Sequence, residues 1–487
     1  MTALRHHWFW LLKVFLFIVS LVDVWATATL PTAGRQGWGT STVRAMSNLA
    51  WAVERVLPET IADLIELVAI PSVSSQEEHD GDVLAAADHV AGLLTRAGCP
   101  EVRLLEAGGK PAVYGHYPAP EGKPTILLYA HYDVQPTGDP AAWTSPAFAP
   151  SERNGRMYAR GSADDKGGIA IHLAALRVFN GEPPVGVKLF IEGEEEIGSP
   201  SMTALLDTYA DEVTADVYVI ADSVNWAVGE PSLTTTLRGV VDAVVHVSTL
   251  ETGLHSGQFG GVVPDALTSL CRLMATLHDD RGNVAIEGLV QGPGPDLDYP
   301  MDRLRLETGV LDGVEFIGDG SVVERMWTKP AASVLAIDTT RVADASNTLI
   351  PSASAKVSIR LAPGQDPAAA EEALHAHLQA HAPWGASVRV EPGQRGGPSA
   401  LELSGPHAQA ARDAFTEAFG IAPVEMGCGG SIPIVAEFAE RHPTATVLVT
   451  AVTDPDSRMH GIDESVDLGD LAKAALAETL LLEYLGR

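Results

Sequence analysis

The chain is short of cysteine, of basic residues and of long apolar runs, and each shortage excludes something. Its three cysteines, Cys99, Cys271 and Cys428, are odd in number and far apart. That excludes a disulfide framework and a CxxC-type structural zinc site, and the thiols read as reduced and mostly buried. Only 32 Lys+Arg stand against 63 Asp+Glu, for a net charge of −31. So acidic a surface repels phosphate backbones, and with no basic patch to offset it, no nucleic-acid partner is expected. One apolar stretch, Trp8–Val22, stands out, but Lys13 breaks it and Asp23 follows it. A polytopic membrane protein, which needs repeated spans of about 20 apolar residues, is excluded.

What is present describes a globular protein. The 487 residues, 46% hydrophobic and 20% charged, suit a large core and two or three domains. Residues 1–45 differ from the rest, with four of the nine tryptophans, four basic residues and one acid. They read as a secretory signal or anchor, or as an extension upstream of a start at Met46, where an amphipathic helix opens. Cytoplasmic placement goes with the latter, export or anchoring with the former. Membrane contact is expected only if residues 4–25 are retained as an anchor.

Beyond residue 59 helical stripes alternate with strands. Ile61, Leu64, Ile65 and Val68 recur at helical spacing, and Pro71 stops that helix. Short apolar runs without polar alternation follow at Ile126–Tyr129, Val187–Ile191, Val217–Ala221 and Ala445–Val452. Such runs are strands buried on both faces, as in a helix-covered, mainly parallel sheet. The middle of the chain instead alternates, as at Val241, Ala243, Val245 and Val247 and at Ala353, Ala355, Val357, Ile359 and Leu361. With helical patterns near 264–278 and 366–381, its order β-α-β-β-α-β predicts a ferredoxin-like α+β insert. The expected organisation is 1–45 apart, an α/β domain from 46–236 and 398–487, and the insert at 237–397.

In open α/β sheets ligands bind beyond the carboxyl ends of strands. Here those ends carry His131 and Asp133, then Glu192 to Glu196, then Asp222, and after the last run a loop leads to His460. Asp164 and Asp165 precede a helical stretch between the first two. Each has an ordinary reading alone: a satisfied core histidine, a solvated acidic run, a turn acid or a helix cap. Their coincidence at one edge of one sheet favours a dinuclear site of imidazoles and carboxylates without thiolate, commonly zinc.

The strings His131-Tyr-Asp133-Val-Gln-Pro136, Gly161-Ser-Ala-Asp-Asp-Lys-Gly167, Glu192-Gly-Glu-Glu-Glu-Ile-Gly-Ser199 and His255-Ser-Gly-Gln-Phe-Gly-Gly261 resemble the M20 family of zinc peptidases and deacylases. They look most like its dipeptidase branch, which includes cytosolic non-specific dipeptidases, and the likeness runs over roughly residues 58–487. Asp164-Asp165-Lys166-Gly167, where the deacylase branch usually has Asp-Met-Lys-Gly, favours a peptidase.

The resemblance implies two divalent metal ions per subunit, Zn2+ or alternatively Mn2+. Asp164 bridges them, His131 and Asp222 complete one site, and Glu196 and His460 the other. Glu195 is the implied general base, chosen by the Ile197-Gly198-Ser199 that follows, with Glu194 the spare. Asp133, two residues beyond His131, faces the same side of an extended segment and suits an acceptor orienting the imidazole. His255, on the insert, is implied to reach across a homodimer into the neighbouring site and stabilise the oxyanion, making the insert a lid and dimerisation domain. Arg360 is a candidate clamp for the substrate's C-terminal carboxylate. Asn347 would assist it or the oxyanion, and Gly430 and Ser431 lie in what resembles the family's glycine-rich substrate loop. The family often shows His-x-x-Asn-Glu where this chain has His460-Gly461-Ile462-Asp463-Glu464, so Asp463 is expected to add negative charge near the site. The expected partner is a small peptide with a free C-terminus. The alternatives are an N-acyl-amino-acid deacylase using the same metals, and a non-catalytic relative that binds amino-acid ligands.

Overall fold

The structure, a computed structural model, describes the backbone of residues 40–487 and side chains from residue 48 onward. The expectations of a signal, anchor or extension fall mostly on residues 1–39, outside the described residues. The first helix runs Thr40–Val68, so Met46 lies within it. Among the described residues no helix is long and apolar enough to cross a membrane.

The four predominantly apolar runs become the four central strands of a nine-stranded sheet: Gly186–Glu192, Thr125–His131, Val217–Val224 and Thr446–Thr453, in that spatial order. All three pairings among them are parallel. Antiparallel strands flank them at both margins, Ala112–Tyr117 on one side and Ser232–Leu237 on the other. The period of two in a strand splits each run between the faces. Ile126 and Leu128 pack with the helices Asp80–Arg96, Lys166–Val178, Gly405–Phe419 and Leu468–Leu485. Leu127 and Tyr129 point the other way, against the helices Met202–Thr208 and Pro433–Arg441. With both faces covered, a strand has no solvent side to advertise with alternating polar residues, hence the largely apolar runs.

The alternating middle forms a separate four-stranded antiparallel sheet, ordered Ala331–Asp338, Ser352–Leu361, Gly239–Ser248, Ser387–Gly396. Helices Ala266–Ala275 and Pro367–Ala380 bury one face of it around Val241, Val245, Val357 and Ile359. This is the βαββαβ arrangement of a ferredoxin-like unit. The chain enters it at Arg238, between Leu237 of the large sheet and Gly239 of the small one. A side chain at residue 239 would lie 2.6 Å from Gly396 O, so only glycine lets the entering and leaving strands pass so closely.

Candidate metal centre

The parallel pairing of Thr125–His131 with Val217–Val224 extends only to Tyr129 and Ile220. Beyond that pair the strands part, opening a crevice at their carboxyl ends, with His131 on one wall and Asp222 on the other. The strand Gly186–Glu192 leads into a short turn, Glu195–Ile197, and Asp164 stands just before the helix Lys166–Val178. His460 arrives on the loop after Thr446–Thr453.

Asp164 lies between the two histidines. Its Oδ1 is 3.2 Å from His131 Nε2 and its Oδ2 is 3.0 Å from His460 Nε2. Glu196 Oε2 is 3.2 Å from His460 Nε2, and Asp222 Oδ1 is 3.9 Å from His131 Nε2. Two groups of candidate ligands result, His131 with Glu195 and Asp222, and Asp164 with Glu196 and His460, each with donor atoms within 4.8 Å of one another. The five predicted metal residues and Glu195 thus come together.

The electrostatics of this cluster favour a bound cation. Burial, then the charge of Asp222, pushes the Glu195 carboxyl well above its usual range, and burial does the same to Asp222. Burial also opposes ionisation of Asp164, but bonds from His131 and His460 outweigh it and hold that carboxyl low. Bonds from Asp164 and Glu196 raise His460 to about 10. Buried carboxylates that outnumber the imidazoles beside them are stable together only with added positive charge. A donor set of imidazole nitrogen and carboxylate oxygen suits a borderline-hard divalent ion, so the residues fit two such ions.

Asp133 is fully buried beneath both groups. Its backbone carbonyl is 3.0 Å from His131 Nδ1, and its Oδ1 is 3.3 Å from the same nitrogen. Its two carboxylate oxygens also accept the amides of Glu195 and Glu196, at 3.2 and 3.1 Å. Glu194 turns away and accepts from the Lys110 and Ser201 amides.

Several contributors lie within the quoted strings but were given no role there. Gln135 Nε2 donates to Glu196 Oε2 at 2.8 Å, orienting that carboxylate. Glu464 accepts from the Gly161, Ala163 and Asp164 amides and pairs with buried Arg160 at 2.6 Å, which fixes the loop bearing Asp164. Asp463, expected to add negative charge near the site, accepts the Thr144 amide and hydroxyl at 2.9 and 2.6 Å. The Thr144 bonds lower its carboxyl's pKa, and its charge is turned toward Arg153.

The insert's residues sit apart from the metal groups within one chain. His255 and Asn347 share an exposed ribbon in which Leu254–His255 pairs with Thr348–Leu349 and Ser256 N donates to Asn347 O at 2.9 Å. His255 Nδ1 accepts the Gly257 amide at 3.0 Å. Arg360, by contrast, reaches from the small sheet toward Ser431, with Nη1 3.5 Å from its hydroxyl. Arg238, which the sequence did not mark, donates Nε to Gly429 O at 3.1 Å. Burial, then repulsion from Arg360, lowers its guanidinium to about 10. The Gly430 amide is directed at Cys428 Sγ, 3.5 Å away.

The chain matches the model of peptidase family M20/M25/M40 over residues 127–484. It is 36% identical over 445 residues to the cysteinylglycine-S-conjugate dipeptidase of Corynebacterium striatum, covering 90% of this chain and 97% of that one. With the Cys-Gly metallodipeptidase of Schizosaccharomyces pombe it shares 28% over 458 residues, 88% of this chain and 96% of the other. The fold matches that of the di-peptidase Dug1p from Saccharomyces cerevisiae with a TM-score of 0.80 at 23% identity, over 91% of this chain and 98% of that one. A family match across most of the chain, a relative above 30% identity along nearly its whole length and paired metal-ligand groups at the strand ends agree with one another, and the chain belongs to peptidase family M20/M25/M40.

Proposed function

We propose that this chain hydrolyses dipeptides or short peptides with a free C-terminal carboxylate, using two divalent ions, zinc by preference and manganese as the alternative. The observation that carries the proposal is Asp164 divided between His131 and His460, one oxygen to each, the placement of a bridging carboxylate. The relatives named for cysteinylglycine conjugates and for Cys-Gly support a dipeptide as substrate.

His131, Asp164 and Asp222 would hold one ion and Asp164, Glu196 and His460 the other. Such a pair supplies an acidified water and polarises the scissile carbonyl. Glu195, whose carboxylate lies in the group with His131 and Asp222, takes the proton of the attacking water and hands it to the departing amine. Asp133 keeps the His131 ring and the Glu195–Glu196 turn in register for this exchange. Arg360, with Arg238 beside it and the Gly430–Ser431 loop below, receives the substrate's C-terminal carboxylate. Residues 46–236 and 398–487 act as the catalytic domain and 237–397 as a lid through which two subunits pair. In that dimer the exposed His255 and Asn347 serve the neighbour's site.

The decisive experiment compares turnover of free dipeptides, C-terminally amidated dipeptides and N-acyl amino acids, before and after chelation and with metal restored. Free dipeptides are expected to be hydrolysed fastest, with activity abolished by chelator and regained with Zn2+ or Mn2+. A preference for N-acyl amino acids sinks the proposal in favour of a deacylase.

A further inference from the structure

The loop between the strands Thr446–Thr453 and Ser465–Asp467 delivers His460 but is not held by it. The ring faces only Asp164 and Glu196 among the described residues, and its side chain is 57% exposed. The backbone there is costly to maintain. Arg458, His460 and Asp463 have φ of 54°, 60° and 59°. Left-handed conformations of residues bearing a Cβ are strained and persist only where the surroundings over-determine them.

Asp463 and Glu464 fasten the last turn of the loop to Thr144 and Arg160, and Arg156, on the short strand Arg156–Tyr158, ties its two ends together. Its Nη1 faces Asp454 Oδ2 at 2.9 Å at the start of the loop. Its Nη2 donates to Ser457 Oγ at 3.1 Å and to Ser465 O at 3.0 Å, and its Nε to Ser465 Oγ at 2.9 Å at the end. Asp454, Ser457 and Ser465 are all buried, so water is poorly placed to substitute for the guanidinium. Arg156 has no hydrogen bond to a residue of either metal group. Its fork spans the two ends of the loop as a lysine's single ammonium could not.

We infer that Arg156 is the positioning residue for His460, so that it sets the metal affinity of the Asp164–Glu196–His460 group and leaves the His131–Asp222 group unaffected. Glu464 offers the contrast. It holds the amide of Asp164, which faces both histidines, so its effect falls on both groups.

The test is Zn2+ stoichiometry and affinity, by equilibrium dialysis with elemental analysis, on full-length wild type, R156M, R156K, H460A and the double variant S457A/S465A. Circular dichroism checks that each is folded. Wild type is expected to hold two ions. R156M is expected to keep one at wild-type affinity and bind the other about 10–100-fold more weakly, as displaced supporting residues do. R156K should recover part of the loss. Should R156M fail to fold, S457A/S465A, which keeps the arginine and removes its two hydroxyl acceptors, is expected to show the same one-sided weakening on a smaller scale. Two ions bound normally by R156M, or both weakened together, overturn the inference, and so does an unaltered second ion in S457A/S465A. The inference rests on the two-ion reading above, and H460A separates the failures. If H460A still holds two ions, that reading is wrong. If H460A loses one and R156M none, only the role of Arg156 is wrong.

Discussion

The carboxylate of Asp133 receives the backbone amide of Glu195 at 3.2 Å, while the carbonyl of the same aspartate stands 3.0 Å from His131 Nδ1. One buried residue therefore links the strand that carries a proposed metal ligand to the turn that carries the proposed base. In E195Q that backbone link survives and only the proton-accepting oxygen is replaced. Turnover is expected to fall by about 10²–10⁴-fold, the usual worth of a positioned general base, with two ions still bound. Glu195 also lies within ligand distance of His131 and Asp222. Loss of one ion together with activity would make it a ligand rather than the base.

Arg238 and Arg360 face the glycine-rich loop, and neither has a carboxylate partner among the described residues. In a chain with about twice as many acids as bases, a pair of half-buried guanidiniums that repel each other points to an anion arriving from outside. Replacing either by methionine is expected to raise KM for free dipeptides about tenfold or more, the worth of a charged hydrogen bond, with kcat less affected. The same substitutions should leave KM for C-terminally amidated dipeptides unchanged. Equal losses on both substrates would show that the arginines do not read the carboxylate.

Much of this architecture is legible before any coordinates. A short apolar run with little polar alternation reads as a strand covered on both faces, and Ile126–Tyr129 and its three counterparts became the central parallel strands. The donors at their ends were legible for the same reason, because strand polarity decides which end carries ligands. What escaped depends on meetings across long stretches of chain. Glu464 holds the amides of residues 161, 163 and 164, and Arg238 is marked only by where two sheets join. The Thr144 and Arg153 partners of Asp463 likewise lie more than 300 positions away in the chain, where motif reading does not reach.

Beneath the crevice, His172 is fully buried between two acceptors, Glu478 at 2.8 Å from Nδ1 and the Tyr129 carbonyl at 3.1 Å from Nε2. Burial works against its charge, but Glu478 outweighs burial and raises the imidazole above its usual 6.5. A histidine raised in the folded state stabilises most below its unfolded pKa, and that contribution is lost as pH rises through the folded value. E478Q is therefore expected to cost about 3 kcal/mol of unfolding free energy near pH 6, as for a broken buried pair. The cost should shrink as pH rises through the raised pKa. Chemical denaturation of both proteins across that range checks it, and a cost independent of pH would show that the imidazole is neutral in the fold.

The exposed ribbon that pairs His255 with Thr348 makes a strong claim testable, namely that each site borrows a residue from its neighbour. If so, H255A and E195Q subunits are each inactive alone, since one lacks the borrowed residue and the other its own base. A mixed dimer contains one intact site, built from the Glu195 of the H255A chain and the His255 of the E195Q chain. Random reassociation of equal amounts should then restore roughly a quarter of wild-type activity per subunit, because half the dimers are mixed and each has one working site of two. Sedimentation of the wild type should show a dimer at the same concentration. A mixture no more active than its parents places His255 outside the partner's chemistry. An H255A protein with full activity removes it from the reaction altogether.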